Sequence, residues 1–280
     1  MTVTNGSGQS AWQRWLMVLF ALVGLCVQLQ ISGCASGQDG GAGASKADLV
    51  TDSDEPETRR RARIRLELAV SYFEQGKTTV ALDELKQSLA NDPNFPDAYN
   101  LRGLVYMRLN DMQLAEESFR RAQTLAPNDP NVMHNYGWMQ CQQGRYPQAE
   151  QLFNQAIAVP VYTGRSRTWM AQGLCQVRAG RRTEGEQSLA RAFDLDPGNP
   201  IIGYNLASLT YQRGDYGRAQ FYARRINNSE LANAESLWLG IKIEQRLGNR
   251  DGAQQLAAQL RKRFAQSKEM ALYERGAFNE

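Results

Sequence analysis

The sequence has little of what catalytic and metal sites are built from. Its 280 residues include one histidine, His134, and four cysteines. It contains no glycine-rich phosphate loop and no Cys-x-x-Cys pair. A lone histidine is more often a packing or hydrogen-bonding residue than a base. These absences argue against an enzyme and predict no catalytic residue, no metal, no cofactor and no small-molecule substrate.

The sequence also lacks a strong excess of charge of one sign and an apolar run long enough to span a membrane. The chain carries 32 Lys and Arg against 29 Asp and Glu, so its field is too weak to predict a nucleic-acid partner. Residues 15–29 follow Arg14, and Gln28 is their only strongly polar side chain. A run of this length is short for a membrane-spanning helix but fits the core of a secretory signal.

The residues after this run are Ile31, Ser32, Gly33 and Cys34. They resemble the bacterial lipobox, in which the cysteine thiol is acylated and becomes the first residue of the mature protein. The resemblance implies a lipoprotein signal peptide over 1–33 and lipidation of Cys34. Position 35 is alanine and not the aspartate of inner-membrane retention, which implies an outer-membrane address on the periplasmic face, held by N-terminal acyl chains. The alternative is an ordinary signal peptide followed by a chance cysteine.

Residues 34–58 are glycine, alanine and serine followed by acids, with Leu49 and Val50 the only sizeable apolar side chains. Such a segment buries too little surface to fold, so we predict a flexible tether with a reach of about 25–30 Å. The basic run Arg59–Arg65 follows it. This run is either a solvated first helix with acids near its N-terminus or a contact with anionic lipid heads.

From residue 62 the chain consists of repeated units. Within each unit we number the residues by their place, with place one at the first residue of the unit. The units start at 62, 96, 130, 166, 200 and 234, with a two-residue insertion after the third. Places eight and twenty are mostly glycine or alanine, which lets two helices approach closely. Place fifteen holds Gly76, Asn110, Gly144, Gly180, Gly214 and Gly248. Glycine and asparagine tolerate the left-handed conformation that ends a helix, so each unit is predicted to be a pair of helices.

A phase-locked period of 34 residues is typical of the tetratricopeptide repeat. We therefore predict an all-α protein, a right-handed α-solenoid of about six such helix-turn-helix repeats over residues 59–267. Asp129-Pro130 and Asn199-Pro200 are predicted to open new units as a capping residue followed by proline. Residues 268–280 are predicted to form a polar C-terminal cap or tail.

In tetratricopeptide repeat proteins, places two, five, nine, twelve and thirteen of each first helix typically face the ligand. Here many of these places are apolar or aromatic, which predicts a protein-binding surface. The partner-binding candidates are Leu66, Val70, Phe73, Leu104, Met107 and Trp138, followed by Tyr204, Tyr211 and Trp238 further along the chain. The alternative for any one of them is packing between helices. His134 lies at place five of unit three and is expected to face the same surface.

Two cysteines remain once Cys34 and the signal peptide are set aside. Cys141 and Cys175 lie in the first helices of units three and four, which are neighbours in the stack. In an oxidising periplasm a disulfide between them is favoured over two buried free thiols, although both interpretations stay open.

A more specific resemblance lies in residues 135–162, 173–180 and 236–253. These segments resemble the PilW family of type IV pilus biogenesis/stability lipoproteins. The resemblance implies a pilotin that binds the type IV pilus secretin and promotes its outer-membrane localisation and multimerisation. It also implies Cys34 as the lipid site, a Cys141–Cys175 bridge, and a binding surface in the first units. The alternative is a general periplasmic scaffold for cell-wall enzymes or outer-membrane assembly machinery, which a secretin pull-down separates from the pilotin.

Overall fold

The structure is a computed structural model that describes residues 54–278. The predicted signal peptide, Cys34 and most of the predicted tether lie outside the described residues. Within residues 54–278 there are thirteen α-helices and no strand. The prediction of an all-α solenoid is confirmed.

Twelve of the helices form six antiparallel pairs. The first helices of the pairs are α1 (Glu57–Glu74), α3 (Pro96–Arg108), α5 (Pro130–Gln142), α7 (Arg165–Arg178), α9 (Pro200–Gln212) and α11 (Ala234–Arg246). The second helices are α2 (Thr78–Asn91), α4 (Met112–Leu125), α6 (Tyr146–Ala158), α8 (Arg182–Leu195), α10 (Tyr216–Asn227) and α12 (Arg250–Arg263). A short helix, α13 (Lys268–Glu274), follows the last pair.

The first helix of every pair ends just before place fifteen, as predicted from the sequence. All six residues at this place have positive φ, from 61° at Asn110 to 87° at Gly214. The starts of two first helices also match the expectation. The Asp129 carboxylate accepts a hydrogen bond from the Asn131 backbone N–H at 2.7 Å, and the Asn199 side chain accepts one from Ile201 at 3.0 Å. These contacts satisfy N–H groups that have no partner within the helix.

The two helices of a pair approach closely because small residues lie at their crossing. A Cβ atom on Gly103 would lie 2.6 Å from the ring of Phe119, and one on Gly173 would lie 2.7 Å from Leu189 Cγ. Phe119 and Leu189 are fully buried at place twenty-four. Glycine on one helix therefore makes room for a large side chain of the other.

The stack is curved, and its first helices form the inner side. Four pairs of consecutive first helices touch one another, whereas no two consecutive second helices within residues 54–278 make comparable contact. The last helix, α13, buries Met270 and Leu272 against α11 and α12, so this end of the chain has an apolar face as well as a polar one. None of the described helices combines the length and the apolar character needed to cross a membrane.

Candidate functional site

The inner side of the stack carries a surface that we call the groove, formed by places two, five, nine, twelve and thirteen of the first helices. The six partner-binding candidates of the first three units all have part of their surface accessible. Leu66, Phe73, Leu104, Met107 and Trp138 are half-buried, and Val70 is 39% exposed. The half-buried side chains also pack against the cores of their units. The first three units of the groove therefore present accessible apolar surface on side chains whose positions are fixed by packing against the core.

A disulfide joins the first helices of the third and fourth units. Cys141 of α5 and Cys175 of α7 are bonded, with their Cα atoms 5.8 Å apart. Both are buried, and Trp138, one turn before Cys141, packs against the same cluster. The bond ties together two first helices that form the middle of the groove.

The expectation that His134 faces the open groove is wrong. Only 7% of its surface is exposed, and its Nδ1 lies 2.9 Å from the Thr168 hydroxyl. Tyr162, in the inserted connection between α6 and α7, is buried and lies 2.8 Å from the same hydroxyl. Burial lowers the pKa of His134 to about 3, and the charge of Arg167 acts in the same direction. The imidazole is a neutral packing and hydrogen-bonding group between two units.

Arginine–aromatic pairs line one edge of the groove, and they were not predicted from the sequence. They are Arg108 over Phe73 at 3.8 Å from the ring centroid, Arg178 over Trp138 at 4.9 Å, and Arg246 hydrogen-bonded to Tyr211. Each arginine lies at place thirteen of an even-numbered unit, and each ring belongs to the unit before it. Comparing places across alternate units would have revealed this pattern.

The far end of the groove contains an open cavity of about 500 Å³ between α9, α11 and α13. Tyr204 and Tyr211 are half-buried in its wall, as expected for groove positions. Trp238 also borders the cavity, but only 5% of its surface is exposed and it packs in the core of the last unit, so the alternative of packing between helices holds for this residue. The Lys242 ammonium lies 5.7 Å from the ring centroid of Tyr211 and 5.5 Å from that of Trp238. Burial lowers the pKa of Lys242 and raises the pKa of Tyr204. This end is more polar than the aliphatic start of the groove.

The basic run at the start of α1 is engaged in ion pairs. These pairs are Arg59 with Asp92, Arg61 with Glu57, Arg63 with Glu55 and Glu67, and Arg65 with Glu84. This pattern is that of a solvated helix face, and contact with lipid heads stays a prediction. Across the described part of the chain, no three His, Cys, Asp or Glu side chains come together as a metal site would require.

Comparison with known proteins places this architecture in a family. A model of the tetratricopeptide repeat matches residues 66–130, 137–200 and 170–230, which together are more than half of the chain. The chain belongs to the tetratricopeptide repeat family. The groove is therefore the inner surface of a tetratricopeptide solenoid.

Individual relatives extend the likeness over nearly the whole chain. The type IV pilus assembly protein PilF of Pseudomonas aeruginosa is 26% identical over 253 residues, which are 90% of this chain and 97% of that protein. A solved structure of Pseudomonas aeruginosa pilF has a TM-score of 0.71 at 25% identity and spans 79% of this chain and 100% of its own. A crystal structure of PilW, described as a widely conserved type IV pilus biogenesis factor, has a TM-score of 0.68 at 28% identity, over 76% of this chain and 97% of its own.

Proposed function

We propose that this tetratricopeptide repeat protein acts in type IV pilus biogenesis as a pilotin, an outer-membrane lipoprotein that binds the pilus secretin. In this proposal it promotes the outer-membrane localisation and multimerisation of the secretin. The observation that carries the proposal is the end-to-end similarity to a type IV pilus assembly protein, over 90% of this chain and 97% of that relative. A solenoid with an accessible apolar groove is suited to holding another protein rather than to catalysis.

Each part of the chain has a distinct role in this proposal. Acyl chains on Cys34 hold the protein at the periplasmic face of the outer membrane, and the tether lets the solenoid reach about 25–30 Å from it. The first units bind the secretin through Leu66, Val70, Phe73 and Leu104. Because Phe73 and Leu104 pack against the core below, they present their apolar surface without a large loss of side-chain entropy on binding.

The anchor is tested by changing Cys34→Ala and fractionating the cells. We expect a folded, soluble periplasmic protein and secretin that no longer accumulates in the outer membrane. A Cys26→Ala variant is the matched control, because it removes a cysteine of the predicted signal peptide and leaves both Cys34 and the Cys141–Cys175 bond intact. Outer-membrane retention of the Cys34→Ala protein would show that the anchor assignment is wrong.

The groove is tested by capturing partners of the full-length chain from native membranes. The double variant Phe73→Ala with Leu104→Ala is expected to weaken secretin capture roughly thirty-fold or more, since truncated interface anchors commonly cost about 1–2 kcal/mol each. The control is Phe221→Ala with Leu195→Ala, which removes the same side chains from second helices, where they are 58% and 57% exposed.

The results of this capture test both the binding site and the choice between the two candidate functions. Secretin capture that the groove variant weakens and the control variant does not supports the pilotin. Unchanged capture by the groove variant moves the binding site elsewhere on the solenoid. Enrichment of murein hydrolases without secretin would overturn the pilotin in favour of the general periplasmic scaffold.

A further inference from the structure

Three exposed arginines follow one edge of the groove, and we call them the arginine edge. They are Arg108, Arg178 and Arg246, at place thirteen of units two, four and six. Each contacts an aromatic side chain of the preceding unit, as described above. An arginine beside an aromatic residue of the preceding unit thus occurs three times, in alternate units, on one side of the groove. Arg108 and Arg178 stack on their rings, whereas Arg246 is hydrogen-bonded to Tyr211.

Arginines on the other faces of the solenoid have partners of two kinds. Some also lie over rings, such as Arg191 over Trp169 at 5.2 Å and Arg225 over Phe193 at 5.8 Å, and others pair with acids. What distinguishes the arginine edge is that its stacked cations lie along the groove. Between neighbouring units, Arg145 binds Glu116 at 2.7 Å and Arg181 binds Glu150 at 2.7 Å, so these cations are neutralised locally. Arg108 donates to the backbone carbonyl of Phe73 at 2.6 Å. No carboxylate within residues 54–278 forms an ion pair with Arg108 or with Arg178. Two cations of the edge therefore remain available to an outside carboxylate.

The groove as a whole is basic, although the chain is nearly neutral. Its five places over six units carry the cations Arg63, Arg108, Arg167, Arg178, Lys242 and Arg246. They carry the acids Glu74, Asp97 and Glu235. Arg63 is already paired with Glu55 and Glu67, so the excess of positive charge lies from unit two onward. A surface of this sign attracts an acidic partner and repels a basic one.

Stacking prepares the guanidinium groups of Arg108 and Arg178 for a carboxylate. An aromatic ring covers one flat face of a guanidinium and leaves the N–H groups on its edge accessible. The stacked side chain has lost part of its rotamer freedom before binding, so less entropy is lost when a carboxylate pairs with it in the two-pronged geometry that arginine favours. The rings beside the arginines add apolar surface for a neighbouring side chain.

The spacing of the edge sets the spacing of the acids that it can hold. Packed helices lie about 8–10 Å apart, so first helices two units apart are separated by roughly 20 Å. This distance corresponds to about 6 residues of extended chain or about 13 residues of α-helix. A matching segment has carboxylates at one of these intervals and apolar side chains beside them, because Leu104 and Met107 line the groove in the same unit as Arg108.

From these observations we propose that the groove holds an acidic segment of the partner protein, whose carboxylates pair with the arginine edge and whose apolar side chains pack on the adjoining rings. The inference deepens the proposed function, because it names the chemistry of the segment that the same groove would bind. It does not depend on which protein supplies that segment.

The test uses the purified full-length chain and two synthetic peptides of about 30 residues, long enough in either conformation to span the roughly 40 Å between the first and the last arginine of the edge. Both peptides have the same leucines and phenylalanines, and the remaining positions are Asp and Glu in one and Asn and Gln in the other. Fluorescence anisotropy measures the affinity at low and at high salt. We expect the acidic peptide to bind at least about ten-fold more tightly than the amide peptide and to weaken as salt screens the charges. Equal affinities of the two peptides would overturn the proposal.

Variants locate the binding on the arginine edge. Changing Arg108, Arg178 and Arg246 to Gln is expected to weaken the acidic peptide by about three-fold for each arginine, or roughly thirty-fold in all. The control changes Arg61, Arg182 and Arg261 to Gln, which removes the same charge outside the groove. Arg178→Gln alone should also weaken binding by about three-fold, and it keeps the test valid if the triple variant fails to fold. Equal losses in the groove and control triple variants would overturn the proposal.

Three further results separate this inference from the proposed pilotin function and from binding of the chain's own tether. If the acidic peptide depends on the arginine edge but wild-type chain captures no secretin, the inference stands and the pilotin fails. If secretin is captured while both peptides bind equally, the pilotin stands and the inference fails. If the acidic peptide binds only after Asp39, Asp48, Asp52 and Asp54 are changed to Asn, the chain's own tether occupies the groove and the partner proposal is overturned.

Discussion

Loss of the disulfide between Cys141 and Cys175 should destabilise the solenoid by a few kilocalories per mole. The bond joins residues 34 apart in sequence. In the chain-entropy model, closing a loop of that length lowers the entropy of the unfolded chain enough to contribute roughly 3.8 kcal/mol at about 25 °C. Measured effects often fall below this value, so we expect about 2–4 kcal/mol for Cys141→Ala with Cys175→Ala. For a protein of this size the corresponding decrease in melting temperature is roughly 4–16 °C.

The assay is thermal and urea unfolding of the mature chain, with and without a reductant. Wild type should lose stability when it is reduced, and the double variant should start near the reduced wild type and show no further response. Because the bond ties two helices of the groove and Trp138 packs beside it, partner affinity should fall along with stability. If wild type and the double variant unfold at the same point without reductant, the bond contributes nothing and the reasoning is refuted.

Two other predictions follow from the packing between helices. Gly103→Val should destabilise the protein by about 1–3 kcal/mol, because a Cβ there would lie 2.6 Å from the ring of Phe119. Urea unfolding measures the change. The control is Gly217→Val, since no atom lies within 4 Å of a Cβ at that position. His134 has a pKa of about 3 when folded, against its ordinary value of 6.5, so the unfolded chain binds the proton more readily below that ordinary value. Stability should therefore fall as the pH falls from about 6.5 toward 3, by about 2 kcal/mol between about pH 7 and pH 5. The His134→Asn variant should lack this part of the pH dependence, and equal pH profiles for the two proteins would contradict the assignment.

The apolar groove residues and the arginine edge differ in how easily the repeat pattern of the sequence predicts them. The apolar candidates of the first units come from places that are numbered along one helix. The arginine edge comes from pairs such as Arg108 with Phe73, which belong to different units and meet only when one unit stacks on the next. Such a pair can be anticipated once the period is known, but only if residues are compared between units as well as along a helix.

The sequence by itself determined the repeat length, the paired helices and the points where they end. These features depend on local properties: Asn110 and the glycines at place fifteen tolerate positive φ, and Asp129 and Asn199 supply a side-chain acceptor to a helix start. Local conformational preference acts within a few residues, so it can be read without knowledge of the stacking.

Only the tertiary structure decided which side chains at groove places remain accessible. His134 has the same place in its unit as Leu66 has in the first, yet it is buried because Tyr162 and Thr168 pack over it. Burial also gave α13 an apolar face, through Met270 and Leu272, in a segment whose composition had suggested a polar end. The accessibility of a side chain depends on which residues of the neighbouring units and connections pack over it. A periodic pattern within one unit does not contain that information.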